Sequence, residues 1–245
     1  MTIHLTRRQL LRSAGVAGAF AALSSSPMAA ELARAPRLIP WRNWSGGQSC
    51  LPAARLAPQS LDELVQVIRQ AQGKVRPVGS AHSFSALVPT DGTLVSLAYF
   101  NGLLGHDADT LQAEFAAGTP MSLMGPALKE IGQALPNMSD IDYQTLAGAI
   151  STSTHGTGVG FGSYSTGVTG LQLVTASGDV LDCDAQRHPE VFNAARVSLG
   201  AFGIATRVRL QNRQAFRLHE RQWIASTEEL LEDVEKNTRE NQHWE

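Results

Sequence analysis

Cysteine is scarce in these 245 residues: only Cys50 and Cys183 occur. Two cysteines so far apart make no disulfide framework and no metal-ligand pair, although an oxidising compartment would permit a bond between them. We expect two separate buried thiols. The chain has no Gly-x-x-x-x-Gly-Lys-Ser/Thr and therefore no P-loop. It has no Gly-x-Ser-x-Gly, so the usual hydrolase elbow is missing. It has no His-Glu-x-x-His or paired-cysteine zinc signature, and no metal site is expected. No basic stripe lies beyond the N-terminus, and the formal net charge is −2. Composition therefore gives no reason to expect a nucleic-acid partner. Internal repeats and low-complexity tracts are also absent. What remains is an ordinary globular composition, 43% hydrophobic, long enough for one large domain or two small ones.

The N-terminus reads as a targeting segment. Arg7 and Arg8 stand before Gln9, Leu10 and Leu11, an alanine- and glycine-rich apolar stretch follows over 13–23, and Ala29-Ala30 follows that. This resembles a twin-arginine export signal over 1–30, cleaved after Ala30, and it implies export to the periplasm in a folded state. The apolar stretch is short for a membrane span, so membrane contact is expected only if the signal stays uncleaved.

Residues 31–46 read as a lead-in that ends in a turn-rich stretch. Ser60 is placed to cap a helix, with Glu63 completing a capping box and Leu61, Leu64, Val65, Ile68 and Ala71 on one face. Strands are expected at 75–78, 94–97 and 111–117. Thr119-Pro120 predicts a helix start with Pro120 in the first position; Pro126 should kink or restart that helix, and Leu135-Pro136-Asn137 should end it. A helix opening over 145–150 is expected to turn its N-terminus toward a ligand. Ser177-Gly178-Asp179 predicts a hairpin between 170–176 and 180–182. A short helix over 189–196 and a strand over 203–210 follow. Residues 216–224 read as a further strand. Ser226 and Glu229 read as the capping box of a last helix, whose Leu230, Leu231 and Val234 need a partner surface.

Two glycine-flanked histidine motifs hold most of the chemical information. The first is Val-Gly-Ser-Ala-His-Ser-Phe-Ser at 78–85. The second is Gln-Thr-Leu-Ala-Gly-Ala-Ile-Ser-Thr-Ser-Thr-His-Gly-Thr-Gly at 144–158. Backbone with so little side-chain bulk approaches a phosphate closely and points N–H groups at it. Two such loops suggest a large anionic cofactor lying along both. Alone, each histidine reads more simply as a hydrogen-bonded structural residue. The glycines at 156, 158 and 160 are only a loose echo of a dinucleotide fingerprint, since Phe161 stands where the third glycine belongs.

Order changes the reading. A helix, a strand, the first motif, Thr-Asp-Gly-Thr-Leu-Val at 90–95 and then the second motif resemble the FAD-binding, PCMH-type domain of the vanillyl-alcohol-oxidase family, and within it the sugar-lactone and alditol oxidases. The resemblance covers about residues 42–213. It implies an α+β, two-subdomain FAD-binding fold over 47–213, with 214–245 beginning an incomplete substrate domain. It implies FAD as cofactor and His82 as the candidate for a covalent bond to the flavin 8α carbon. Val78, Gly79, Ser80, Ala81, Ser83 and Phe84 would wrap the pyrophosphate and flavin. Thr145, Gly148, Ser151, Thr152 and Gly156 would line the cofactor, with His155 beside it and the backbone of Ile204 at the adenine end. Ala81 departs from the family's usual glycine, and its methyl group should be tolerated unless the residue needs a positive φ.

The chemistry so implied is transfer of hydride from a CH–OH group of a sugar lactone or polyol to FAD, with oxygen or another acceptor taking the electrons. A dehydrogenase using a quinone or cytochrome is the competing reading, and a flavin-binding fragment without turnover is another. No residue here reads as the catalytic base, which the resemblance places in the following domain.

Overall fold

In the computed structural model the described residues are 38–244. The expected signal over 1–30 lies outside them. Capping and apolar spacing make the first helix, α1 (Leu61–Gln70): the Ser60 hydroxyl accepts the Glu63 N–H at 3.1 Å, and Leu64 and Ile68 are buried. The Glu63 carboxylate reaches one residue further back than a capping box requires, accepting the Gln59 N–H at 2.7 Å.

α1 makes the crossover between the two outer strands of a parallel sheet. Its order is β3 (Ala54–Leu56), β5 (Thr93–Ser96), β4 (Val75–Val78), with β5 central. Beside β3, β1 (Trp41–Arg42) and β2 (Ser49–Cys50) form a short hairpin. The 46/47 boundary read from the sequence falls inside it.

A separate antiparallel sheet has five strands, in the order β10 (Val180–Asp184), β9 (Val168–Val174), β11 (Ile204–Gln211), β7 (Gln112–Ala116) and β6 (Leu103–Asp107). Period-2 burial is plain in β11, where Ile204, Thr206, Val208 and Leu210 turn inward. Thr206 is tolerated there because its hydroxyl meets Gln172 Oε1 at 2.9 Å. Helices α2 (Met121–Glu130) and α3 (Leu146–Ser151) contribute Met121, Met124, Leu128, Leu146 and Ile150 to one apolar cluster. That cluster also holds Leu64 of α1, Val95 of β5 and Phe115 of β7, so both sheets share a core. A small ribbon pairs β8 (Gln133–Ala134) with β12 (Arg213–Gln214). Helices α4 (Pro189–Ala195), α5 (Thr227–Glu232) and α6 (Val234–Glu240), with a short 3₁₀ helix at Tyr164–Gly167, complete the described elements. The α+β class is as expected.

Several local expectations need correction. Pro120 is the N-cap of α2 rather than its first residue, with φ −61° and ψ 138°. α2 runs unbroken through Pro126, because three buried side chains on one face hold it to the core. It ends at Glu130, before the left-handed Gly132 at φ 71°, rather than at Leu135-Pro136-Asn137. β6 escaped notice because Gly105 and a register shift after Leu103 interrupt its alternation. Residues 216–224 form no strand. Among the described residues they form no ladder, and Ile224 is fully exposed, so a few apolar residues without a neighbouring strand did not make one. The Ser226–Glu229 capping box is present, yet the helix breaks at Asp233 and Leu231 stays exposed.

Both cysteines are free thiols, Cys183 buried and Cys50 only half-buried. Burial pushes the Cys183 thiol above its ordinary range, and the carboxylates of Asp184 and Asp182 push it the same way. A raised thiol pKa leaves less thiolate at any given pH, and alkylation needs thiolate. Brief iodoacetamide treatment of the folded protein near neutral pH should therefore add one adduct, on Cys50. Peptide mass mapping that finds Cys183 alkylated as fast as Cys50 would contradict this. In denaturant both should react.

Candidate functional site

β4 runs straight into the first histidine motif. The β1–β2 hairpin holds that loop by its carbonyl groups. Trp44 N donates to Ala81 O at 2.9 Å, the Asn43 side-chain amide donates to Ser83 O at 3.0 Å, and the Gln48 side chain donates to Phe84 O at 3.3 Å. Asn43 is buried, and its own Oδ1 accepts the Gln48 N–H at 2.9 Å. The loop's N–H groups are left over: across residues 80–84 none has an acceptor among the described residues. A run of backbone donors without acceptors is suited to an anion.

Ala81 has a φ of 61°. The condition attached to its methyl group is thus met in the unfavourable sense: this position needs a positive φ, and alanine occupies it. The left-handed conformation costs roughly 1–2 kcal/mol for a residue with a Cβ.

The second motif is built on α3. The Thr145 hydroxyl accepts the Gly148 N–H at 3.4 Å, capping the helix. Backbone bonds from Leu146 N to Thr119 O at 2.8 Å and from Ala147 N to Ala117 O at 2.9 Å stitch its first turn to the segment between β7 and α2. Thr152 closes the turn, its hydroxyl donating to Gly148 O at 3.1 Å. Ser153 is left-handed, with φ 55°. Gly156 is seated on the Met138 backbone, where a Cβ would lie 2.0 Å from the carbonyl oxygen.

The two motifs touch. A Cβ on Gly79 would stand 2.4 Å from Thr145 Oγ1, so only glycine lets the first loop pass the cap of α3. The histidines end in different surroundings. His82 is half-buried against the rings of Trp44 and Tyr143. His155 is exposed, its Nδ1 lies 2.9 Å from Gly156 O, and it lines a cavity of about 1160 Å³ with Lys129, Asn137, Met138, Arg217 and His243. Residues of the first motif do not line that cavity. Ile204 is buried in β11, where it stands opposite Val174 of β9. The turn before it reaches the first motif's strand, since a Cβ on Gly200 would be 3.1 Å from Pro77 Cγ.

Sequence reasoning missed Asn43, Trp44 and Tyr143. Their signal was slight: a tryptophan-rich turn far upstream and an aromatic just ahead of the second motif. Among the described residues no cluster of histidine, cysteine and carboxylate is suited to a metal ion, and no helix is long and apolar enough to cross a membrane.

A family model described as an FAD binding domain matches residues 52–184. The chain belongs to the FAD binding domain family. Its cofactor is FAD, and the donor-rich loop and the glycine-tight contact between the motifs suit a dinucleotide. The chain is 38% identical over 208 residues to the L-gulono-1,4-lactone dehydrogenase of Mycobacterium tuberculosis (strain ATCC 25618 / H37Rv), covering 84% of this chain and 48% of that protein. It is 32% identical over 209 residues to the L-gulonolactone oxidase of Bos taurus, with the same coverages of 84% and 48%. It is 35% identical over 202 residues to the D-arabinono-1,4-lactone oxidase of Kluyveromyces lactis, covering 80% of this chain and 38% of that one. The chain thus spans about half the length, or less, of these relatives.

The motif contact and the strained alanine make a paired prediction. Ala81→Gly removes the left-handed penalty and adds some unfolded-state entropy, for a net gain of about 0.5–1 kcal/mol and about 2 °C in Tm. Gly79→Ala forces the loop off Thr145, which should lower Tm and weaken FAD binding. Thermal melts with and without FAD check both, and a stabilising Gly79→Ala would refute the contact.

Proposed function

We propose that this chain is the FAD-binding half of an exported oxidoreductase that acts on a CH–OH group of a sugar lactone or alditol, with oxygen as acceptor. The observation that carries the reading is the contact of Gly79 with Thr145, which joins two donor-bearing loops into one bed in a chain related to lactone oxidases and a lactone dehydrogenase. In this reading His82 is the covalent tether. Val78, Gly79, Ser80, Ala81, Ser83 and Phe84 wrap the pyrophosphate and flavin. Thr145, Gly148, Ser151, Thr152 and Gly156 line the bed, His155 lies beside it, and Ile204 offers its backbone to the adenine.

Bound FAD supplies the hydride acceptor. The chain's own part is to hold and orient. The free N–H groups of residues 80–84 neutralise anionic oxygens, and the Thr145 cap fixes the start of α3 against the loop. Proton removal from the substrate hydroxyl is left to the substrate domain, of which 214–245 is the beginning. The twin-arginine segment sends the folded protein to the periplasm, where a tethered cofactor is not lost. Membrane contact arises only if the segment is retained.

A second reading takes a quinone or cytochrome as acceptor, and the relative named a dehydrogenase favours it. Peroxide yield under air, measured against dye reduction with the same lactone, separates the two. Oxidase action gives about one peroxide per lactone, whereas a dehydrogenase reduces dye and forms little peroxide. A chain that binds FAD and does neither is a flavin-binding fragment.

Tethering has its own test. Yellow fluorescence should stay with the protein on a denaturing gel and vanish in His82→Ala, while the native variant still binds FAD. Fluorescence undiminished in His82→Ala would reassign the tether, and a colourless native protein would end the flavin reading. Export is checked by Arg7→Lys with Arg8→Lys, which should leave the precursor in the cytoplasm.

A further inference from the structure

His82 is gripped by ring faces rather than by hydrogen bonds. Its imidazole lies 5.1 Å from the Trp44 ring, centroid to centroid, at an interplanar angle of 21°. The Tyr143 ring is 5.9 Å away and within 7° of parallel. Nδ1 of His155 and Nδ1 of His243 each meet a backbone carbonyl, whereas among the described residues neither ring nitrogen of His82 has such a partner. A histidine ring is ordinarily oriented by the hydrogen bond of one nitrogen, which also fixes its tautomer. Here stacking sets the plane, and both nitrogens stay free at the ring edge.

The clamp is anchored to the parts that form the cofactor bed. Trp44 is tied to the residue before His82 by its bond to Ala81 O at 2.9 Å. Asn43 holds the residue after it through Ser83 O at 3.0 Å. Tyr143 stands two residues before Thr145, the partner of Gly79. Trp44 and Tyr143 are each 67% exposed, so neither is a core residue that merely happens to lie near. Two large exposed rings contribute little burial, yet both stack on the one imidazole of the first motif.

We infer that Trp44 and Tyr143 are positioning residues for attachment of His82 to FAD. They hold the imidazole plane so that a ring nitrogen, and not a ring face, is offered to the flavin 8α carbon. The inference rests on the reading of His82 as the tether. In the attachment one N–C bond replaces an imidazole N–H and a methyl C–H. The two hydrogens, with their electrons, pass to dioxygen, which leaves as hydrogen peroxide. Neither Trp44 nor Tyr143 exchanges a proton.

The test follows attachment separately from binding. Wild type, Trp44→Ala, Trp44→Phe, Tyr143→Ala and the His82→Ala blank are prepared flavin-depleted and mixed with FAD under air. Native absorbance gives total flavin, and denatured samples taken over time give the attached share. Both alanine variants should bind FAD yet attach it at least about tenfold more slowly, the scale expected for a slightly misplaced reacting group. Trp44→Phe, which keeps a ring to stack, should attach at close to the wild-type rate. Alanine variants that attach at the wild-type rate overturn the inference. So do variants whose attached share stays constant while total flavin falls, since lost folding alone does that. A wild type that binds FAD but attaches none removes the tether reading and the inference with it, whereas normal wild-type attachment with unaffected variants removes the inference alone.

Discussion

A missing carbon atom holds this site together. Gly79 passes the Thr145 hydroxyl so closely that no side chain fits between them. Thr145 is at once the cap of α3 and the wall against which the first loop rests. Because α3 is itself stitched to Ala117 and Thr119, the contact transmits the position of the antiparallel sheet and α2 to a loop that grows from the parallel sheet. The shared core containing Leu64, Val95, Phe115 and Leu146 fixes the distance between the sheets. The glycine converts that fixed distance into a fixed position of the first motif against α3.

The loop is defined by what its backbone gives away. Its carbonyl groups at Ala81, Ser83 and Phe84 are taken by the hairpin of β1 and β2, while its N–H groups stay free. That division leaves the loop as an array of donors, which suits an anion. The cost appears at Ala81, whose left-handed backbone carries a methyl group where glycine would be relaxed. Strain is tolerated where the surrounding bonds over-determine the backbone, as the clasp does on both sides of His82.

Legibility in the sequence followed the range of the interactions. Ser60 and Ser226 were readable as caps because a cap and its partner lie within one turn. The histidine motifs were readable because backbone freedom and small side chains are local properties. Asn43 and Trp44 were not, since their partners lie far away in sequence, in the first-motif loop, and nothing local to a tryptophan names the ring it will stack on. The failed strand at 216–224 makes the same point from the other side. Its residues favour a strand, but a strand is a relation to a neighbour, and none is present among the described residues. α2 shows the reverse, for its proline was local evidence of a break and distant packing overruled it.

The buried amide of Asn43 has a consequence for how the protein is made and handled. It lies upstream of the region matched by the family model, which begins at residue 52. A chain that begins at that boundary would keep both histidine motifs, both main sheets and the apolar cluster that joins them, though not the buried Trp41. It would lose the only described side chain that bonds to the Ser83 carbonyl, together with the backbone donor to Ala81. Such a product would hold the first motif without the three bonds that fix its carbonyl groups. The bonds that hold the loop's carbonyl groups thus come from a hairpin that lies upstream of the residues matched by the family model.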